Sequence, residues 1–520
     1  MQINSIPLFI TLALAAGQSP AHTLPDAATA TSAALGEVRF PTSTRSPQAQ
    51  AAFIEGMLLL HVFEYPAAQK AFERAEQFDP EFAMAYWGEA MTYTHPVWNQ
   101  QDLEAGRAAL AKLAVTPQAR AGKAATAREK DFLQAAEILY GEGSKRERDQ
   151  RLLQAMESMA TRYPDDDEVQ LFLSLALLGA NEGVRDLPAF LRAADIAKAV
   201  YRHNPMHPGA AHYWIHGMDD PAHAEGALEA ARALSKIAPG AGHSQHMTSH
   251  IFMALGLWDD VVASNIAAER VVNEGLRAKG QPPFSCGHYS EWLQYAYFQQ
   301  GREREGYQVL LDCQRDGRAA LAWSRAHPMQ PFLAARNLQS LKARLDSTLV
   351  TMRAAVIVDA PRYRRQASAI DLDVSDIGRD QGWALFSRGL EQAWRGDEPR
   401  ATQTLVSLRK IADLPDEAGD NGSARHYLAI MAQMLEAVIA QREGRVDEGI
   451  RLASAAAQSY DALPFDFGPP ATVKPPCELL GEMLLAAGRR DEARAQFELS
   501  LKAAPRRALS RAGLERATVR

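Results

Sequence analysis

The chain opens on an apolar run from Ile6 to Ala16 (IPLFITLALAA), eleven residues long. That is too short to cross a bilayer and suits the hydrophobic part of an export signal. Ser19-Pro20-Ala21 follows as a small-x-small cleavage site, so residues 1–21 are expected to be a signal peptide, although no Lys or Arg precedes the run. Residues 22–48 are rich in Ala, Thr, Pro and Ser without helical spacing, and are expected to be a linker or extended arm. From about residue 49 apolar residues recur at intervals of three and four, the spacing of helices that bury one face. No stretch alternates apolar and polar residues with a period of two between turn residues, so strands are not expected and the fold class is all-α.

The helical stretches repeat. In FIEGMLLLHVFEYPAAQKAFERAEQFDP, residues 53–80, the positions Gly56, Ala68, Phe72, Ala75 and Pro80 follow the spacing of the tetratricopeptide repeat, in which small residues meet at a helix crossing and a proline follows the second helix. The frame recurs with Ala193 and Pro205, with Ala227 and Pro239, with Gly256, with Tyr297 and Gly301, and with Ala493, Phe497 and Pro505. Residues 83–165 and 318–470 have helical spacing but match the frame poorly. The expected architecture is a tetratricopeptide-repeat α-solenoid, a right-handed superhelix of helix hairpins with a concave groove. It divides into an N-terminal array at 49–317 and a C-terminal array at 318–520, which RALSRAGLERA from Arg507 closes as a polar capping helix.

Composition narrows the function classes. Across 520 residues, 47% apolar and 23% charged content is that of a globular chain, and no segment is long and apolar enough for stable membrane insertion once the signal is removed. A formal net charge of −7 removes the electrostatic case for a nucleic-acid partner. Cys286, Cys313 and Cys477 form no CxxC pair and no disulfide framework; Cys313 and Cys477 are expected to be small apolar core residues. Phosphate-loop, GxGxxG, GxSxG and HExxH motifs are absent.

Histidine is where the chemistry gathers. Eight of fourteen histidines fall within residues 203–250. His212 and His216 are four apart, as are His246 and His250, so each pair shares a helix face. The two pairs are offset by 34 residues, one repeat, which places them at equivalent positions facing the groove. Four imidazoles on adjacent helices can converge on one transition-metal ion (Zn, Cu, Ni or Fe), with Asp219 and Asp220 as partners for their N–H groups. The same positions also suit metal-free ligand contacts or polar packing with Tyr213, Trp214 and Trp258. His61 and His95 repeat the 34-residue offset as further groove candidates, and His288 with Glu291 lies one repeat beyond. His203, His207 and His223 read as loop or surface residues, and His243 as a helix-start residue.

Longer strings carry a family resemblance: GEVRFPTS (36–43), LLHVFEYPAAQKAF (59–72), DPEFAMAYWGEAMTYTHPVW (79–98), HPGAAHYWIHGMDDPAHA (207–224), APGAGHSQHMTSHIFMALGLWDDVVASN (238–265) and GEMLLAAGRRDEARAQFELSLKAAP (481–505). Together they resemble a group of exported bacterial tetratricopeptide-repeat proteins of uncharacterised activity. The resemblance implies the solenoid and points to His61, His95, His212, His216, His246 and His250 as motif positions. This chain departs from the group at Arg39, where histidine is common, at Thr44, where cysteine is common, and at Thr248, where proline is common.

The expected function is a periplasmic or secreted solenoid that binds a peptide or small ligand in its groove, with a His-rich transition-metal site. One alternative is a metal-dependent hydrolase or oxidase using that site, with Glu291 or Asp220 as general base. A second is a metal-free scaffold for an envelope complex.

Overall fold

A computed structural model describes residues 34–182, 184–330, 332–333, 337–415 and 423–519. The expected signal peptide and the first part of the expected linker lie outside them. Among the described residues there are 24 α-helices, and consecutive helices pack on one another across short turns. The all-α, tetratricopeptide-type reading holds. One correction is a pair of two-residue strands, Thr94–His95 antiparallel to Gln100–Gln101. Pro96 cannot continue a helix, and the single 3-10 turn Pro96–Trp98 folds the chain back so that the two ends meet. No helix among the described residues is long and apolar enough to cross a membrane.

Two compact units form, one from the described residues of Ala21–Phe252 with Ala263–Gln281, the other from Met253–Val262 with Pro282–Arg520. The division therefore falls within residues 253–281, earlier than the boundary at 317 that the repeat frame suggested.

In the first unit the described end of the linker is a packed arm. Leu35 and Phe40 are buried, and the Phe40 ring lies 5.0 Å from Phe53 and 5.2 Å from Phe132, with the Arg128 guanidinium 4.0 Å above it. Backbone bonds Glu37 N–H to Met206 C=O and Gly240 N–H to Ala34 C=O tie the arm down further. Ser46 then caps helix Pro47–His61, its hydroxyl accepting from Ala49 N–H, with Pro47 in the first turn where its missing N–H costs nothing.

The repeat packing rests on close approach at glycine. Gly56 and Gly88 stand sixteen residues on either side of Phe72, and a Cβ on either would come within 2.6 and 2.4 Å of its ring. The second unit repeats the device: Gly481 and Gly513 flank Phe497 at the same spacing, with Cβ approaches of 2.9 and 2.3 Å. Any side chain at these positions would push the helices apart, which explains the small residues that the sequence frame detects.

The second unit also buries an ion network. The fully buried Arg507 guanidinium donates to Glu478 at 2.7 and 3.0 Å and to Asp359 at 2.6 Å, while Lys474 reaches Glu478 at 3.1 Å. Arg507 immediately precedes helix Ala508–Thr518, so the expected capping helix is anchored at its start. Cys286 and Cys313 form a disulfide with their Cα atoms 4.3 Å apart, correcting the expectation of unpaired cysteines; Cys477 is the free thiol. Spacing along the chain carries no information on this pairing, because tertiary packing of helix Glu303–Ala326 brings the two together.

Candidate metal centre

Two helices of the first unit supply the histidines. Helix Pro208–Gly217 carries His212 and His216 one turn apart, and helix Gly242–Ala254 carries His243, His246 and His250 at spacings of three and four, a single face. None of the five is more than 5% exposed. They are interior residues, not the lining of an open groove as the repeat frame implied.

The rings sort into two sets. The Nε2 of His212 lies 3.0 Å from Nε2 of His216 and 3.2 Å from Nε2 of His243. The Nε2 atoms of His246 and His250 face each other at 3.2 Å. A tetrahedral ion with metal–nitrogen bonds of about 2.0–2.1 Å sets its nitrogens roughly 3.3–3.4 Å apart, so both spacings fit edges of such a shell. His243, which the sequence reading set aside as a helix-start residue, is thus a third member beside His212 and His216. The signal that reveals it is its position one turn before His246.

Oxygen acceptors decide which ring nitrogens hold protons. His212 Nδ1–H donates to the backbone carbonyl of His61 at 2.7 Å, His246 Nδ1–H to the Asn265 amide oxygen at 2.7 Å, and His250 Nδ1–H to the Asp219 carboxylate at 2.6 Å. A neutral imidazole has one N–H and one lone pair, so the Nε2 atoms of these three present lone pairs inward. Asp219 therefore plays the holding part foreseen for it, toward His250. Asp220 is engaged elsewhere, with Arg185 at 2.7 Å and His223 Nδ1 at 2.8 Å.

The end of the first helix both covers and braces the centre. Phe63 lies 4.4 Å from His212, 5.7 Å from His216 and 5.6 Å from His243 by ring centroids, and Trp98 lies 5.8 Å from His243. Phe63 sits at φ 58°, a region a bulky residue rarely occupies, so its surroundings hold it there. His61 is braced in turn: Nε2–H donates to Glu168 at 2.8 Å, and Tyr213 O–H donates to Nδ1 at 3.0 Å. His207 Nε2–H donates to the other Glu168 oxygen at 3.0 Å, which places this expected surface residue in the core. Both nitrogens of His61 are occupied, so it supports His212 through its carbonyl. Gly209 leaves the room this needs, since a Cβ there would stand 2.5 Å from His61 Nδ1.

Electrostatics keep His212, His216 and His243 neutral. Burial pushes the His212 pKa down to about 3, against the favourable pull of the His61 carbonyl. Burial, followed by the neighbouring imidazoles, holds His216 and His243 well below the usual histidine range. Glu64 is buried, and its pKa is raised to about 8 by that burial, although its oxygen accepts the His243 backbone N–H at 3.4 Å. Burial alone would raise Glu168, but His61 and His207 overcome it and hold the carboxyl below its ordinary range.

His95 stacks on Tyr65 at 4.0 Å and donates from Nε2 to the Thr92 carbonyl at 3.2 Å. His288 begins helix His288–Gln299 in the second unit, 5.3 Å from Trp292, and Glu291 is half-buried on that helix, with desolvation and the nearby Asp380 raising its pKa to about 8. His203 is exposed against Asp167. Of the departures from the family pattern, Arg39 is exposed, Thr44 hydrogen-bonds Asp79, and Thr248 donates to the Gln245 carbonyl within its helix.

No protein-family model matches the chain, and no curated protein is detectably similar to it in sequence. Solved structures with a similar run of helices include the APC/C hetero-tetramer Cut9–Hcn1, at 11% identity over 92% of this chain and 79% of that one with a TM-score of 0.34. Yeast Tom70 is similar at 11% identity over 91% of this chain and 89% of that one, with a TM-score of 0.31. Likenesses of this degree say nothing about partner, ligand or activity.

Proposed function

We propose that this chain binds transition-metal ions at its buried histidine centre and works in an oxidising compartment outside the cytosol, with its helical repeats available to a peptide or protein partner. One observation carries the metal reading. His246 and His250 hold their protons outward on Asn265 and Asp219, so two lone pairs face each other at 3.2 Å in the interior. Two imidazole nitrogens so placed can take one metal ion between them, and imidazole nitrogen suits copper, zinc, nickel or iron(II). The Cys286–Cys313 disulfide supports the compartment, because such bonds persist where the surroundings are oxidising.

Glu64 favours a second reading, a metal-dependent enzyme. Its buried carboxyl sits beside the helix that carries three of the histidines, and its pKa near 8 is that of a group able to accept or give a proton at neutral pH. In that reading Glu64 takes the part that the sequence assigned to Glu291 or Asp220.

The test is elemental analysis of the full chain, stripped with chelator, reloaded with Zn2+ or Cu2+ and desalted. At least one equivalent is expected to remain, and a chain that retains none would overturn the proposal.

A further inference from the structure

We infer that the centre is built for two ions, one at His212, His216 and His243 and a second at His246 and His250. The inference rests on the metal-binding reading above and makes it specific. The sequence alone suggested four imidazoles around one ion, with both helical pairs turned to a common point. The structure groups them otherwise. The ligand atoms of His212, His216 and His243 all lie within 4.8 Å of one another, and His246 and His250 stand outside that group.

The proton anchors show why there are two foci. His212 is fixed from the side of helix Pro47–His61, by the His61 carbonyl, and its Nε2 becomes the hub from which His216 and His243 stand 3.0 and 3.2 Å away. His246 and His250 are fixed from other directions, by Asn265 on helix Trp258–Ala278 and by Asp219 after helix Pro208–Gly217. Their lone pairs meet each other and not the hub. The rings cluster accordingly: His212 lies 4.7 and 5.1 Å from His216 and His243 and His246 lies 5.1 Å from His250 by centroids, whereas His216 with His250 and His243 with His246 are 6.1 and 6.3 Å apart. With imidazole as the shared ligand type, both sites select copper or zinc over magnesium, calcium or manganese.

An N–H···N hydrogen bond between His246 and His250 would give the same spacing without metal, and metal stoichiometry separates the two cases. The metal-stripped full chain is titrated with Zn2+, desalted and analysed for bound metal, beside the His246→Gln/His250→Gln and His212→Gln/His216→Gln double variants, with circular dichroism confirming their folding. The expected result is two equivalents in the parent and one in each variant. One equivalent in the parent would overturn the two-ion inference and leave the metal reading standing; none would overturn both. Should a variant fail to fold, the parent saturated with Cu2+ gives an independent readout by electron paramagnetic resonance. Two neighbouring ions produce a broadened, spin-coupled spectrum, and a sharp spectrum integrating to one isolated Cu2+ would overturn the inference.

Discussion

Keeping three imidazoles neutral in the interior ties stability to pH. In the unfolded chain His212, His216 and His243 titrate near 6.5, whereas burial holds all three far lower in the fold. A folded pKa below the unfolded one means that the unfolded chain binds more protons, so the contribution is complete above pH 6.5 and is lost as pH falls toward the folded values. Going from pH 7.5 to 5.5 protonates these groups in the unfolded chain only, which costs about 1.4 kcal/mol for each and about 4 kcal/mol for the three. Glu64 has the opposite sign: its pKa, raised to about 8, adds stability as pH falls through the same window. The quantity to measure is therefore the difference between the metal-stripped parent and the His212→Gln/His216→Gln/His243→Gln variant. Because the two units need not unfold in one transition, the assay is hydrogen exchange of amides in helices Pro208–Gly217 and Gly242–Ala254, corrected for intrinsic rates. The parent's advantage over the variant should shrink by about 4 kcal/mol between pH 7.5 and 5.5. A change of less than about 1 kcal/mol would mean that the rings are hydrated or already charged, and would refute the reasoning.

Two further outcomes follow from the packing. The Cys286–Cys313 disulfide closes a loop with a sequence separation of 27, which stabilises the chain by roughly 3.5 kcal/mol through the unfolded state. Thiol titration of the denatured chain should find one free group, Cys477, before reduction and three after, and reduction should lower the melting temperature; three before reduction would show that the bond is absent. Gly209→Ala puts a methyl 2.5 Å from His61 Nδ1, an overpacking worth about 1–3 kcal/mol. It should also weaken Zn2+ binding, because His61 positions His212. Unchanged Zn2+ affinity, measured by competition with a chromophoric chelator, would separate His61 from the centre.

Much of the architecture was legible in the residues. Gly56 with Phe72, and Ala493 with Phe497, mark helix crossings because only small residues permit the approach, and that constraint is local enough to leave a spacing in the chain. The 34-residue offset between the His212–His216 and His246–His250 pairs pointed to the buried histidine cluster for the same reason, since equivalent repeat positions share a face. What escaped was tertiary. The pairing of His243 with His212 depends on how two helices lie against each other, and Phe63 and Trp98 fold over these two rings from a distant part of the chain. His207 reads as a loop residue because it precedes a helix, yet Glu168 draws it inward from 39 residues away. Cys286 and Cys313 share no motif spacing, so their bond could not be foreseen.

The aromatic cover over the histidines bears on time as well as affinity. Phe63 packs against three of the five rings, so on that side an ion at His212, His216 and His243 is shut in by the turn after helix Pro47–His61, and exchange by that route waits on the turn opening. A tenant behind such a door exchanges slowly with free metal in the surroundings even when its equilibrium affinity is modest. It behaves as a lasting constituent of the molecule and not as passing freight.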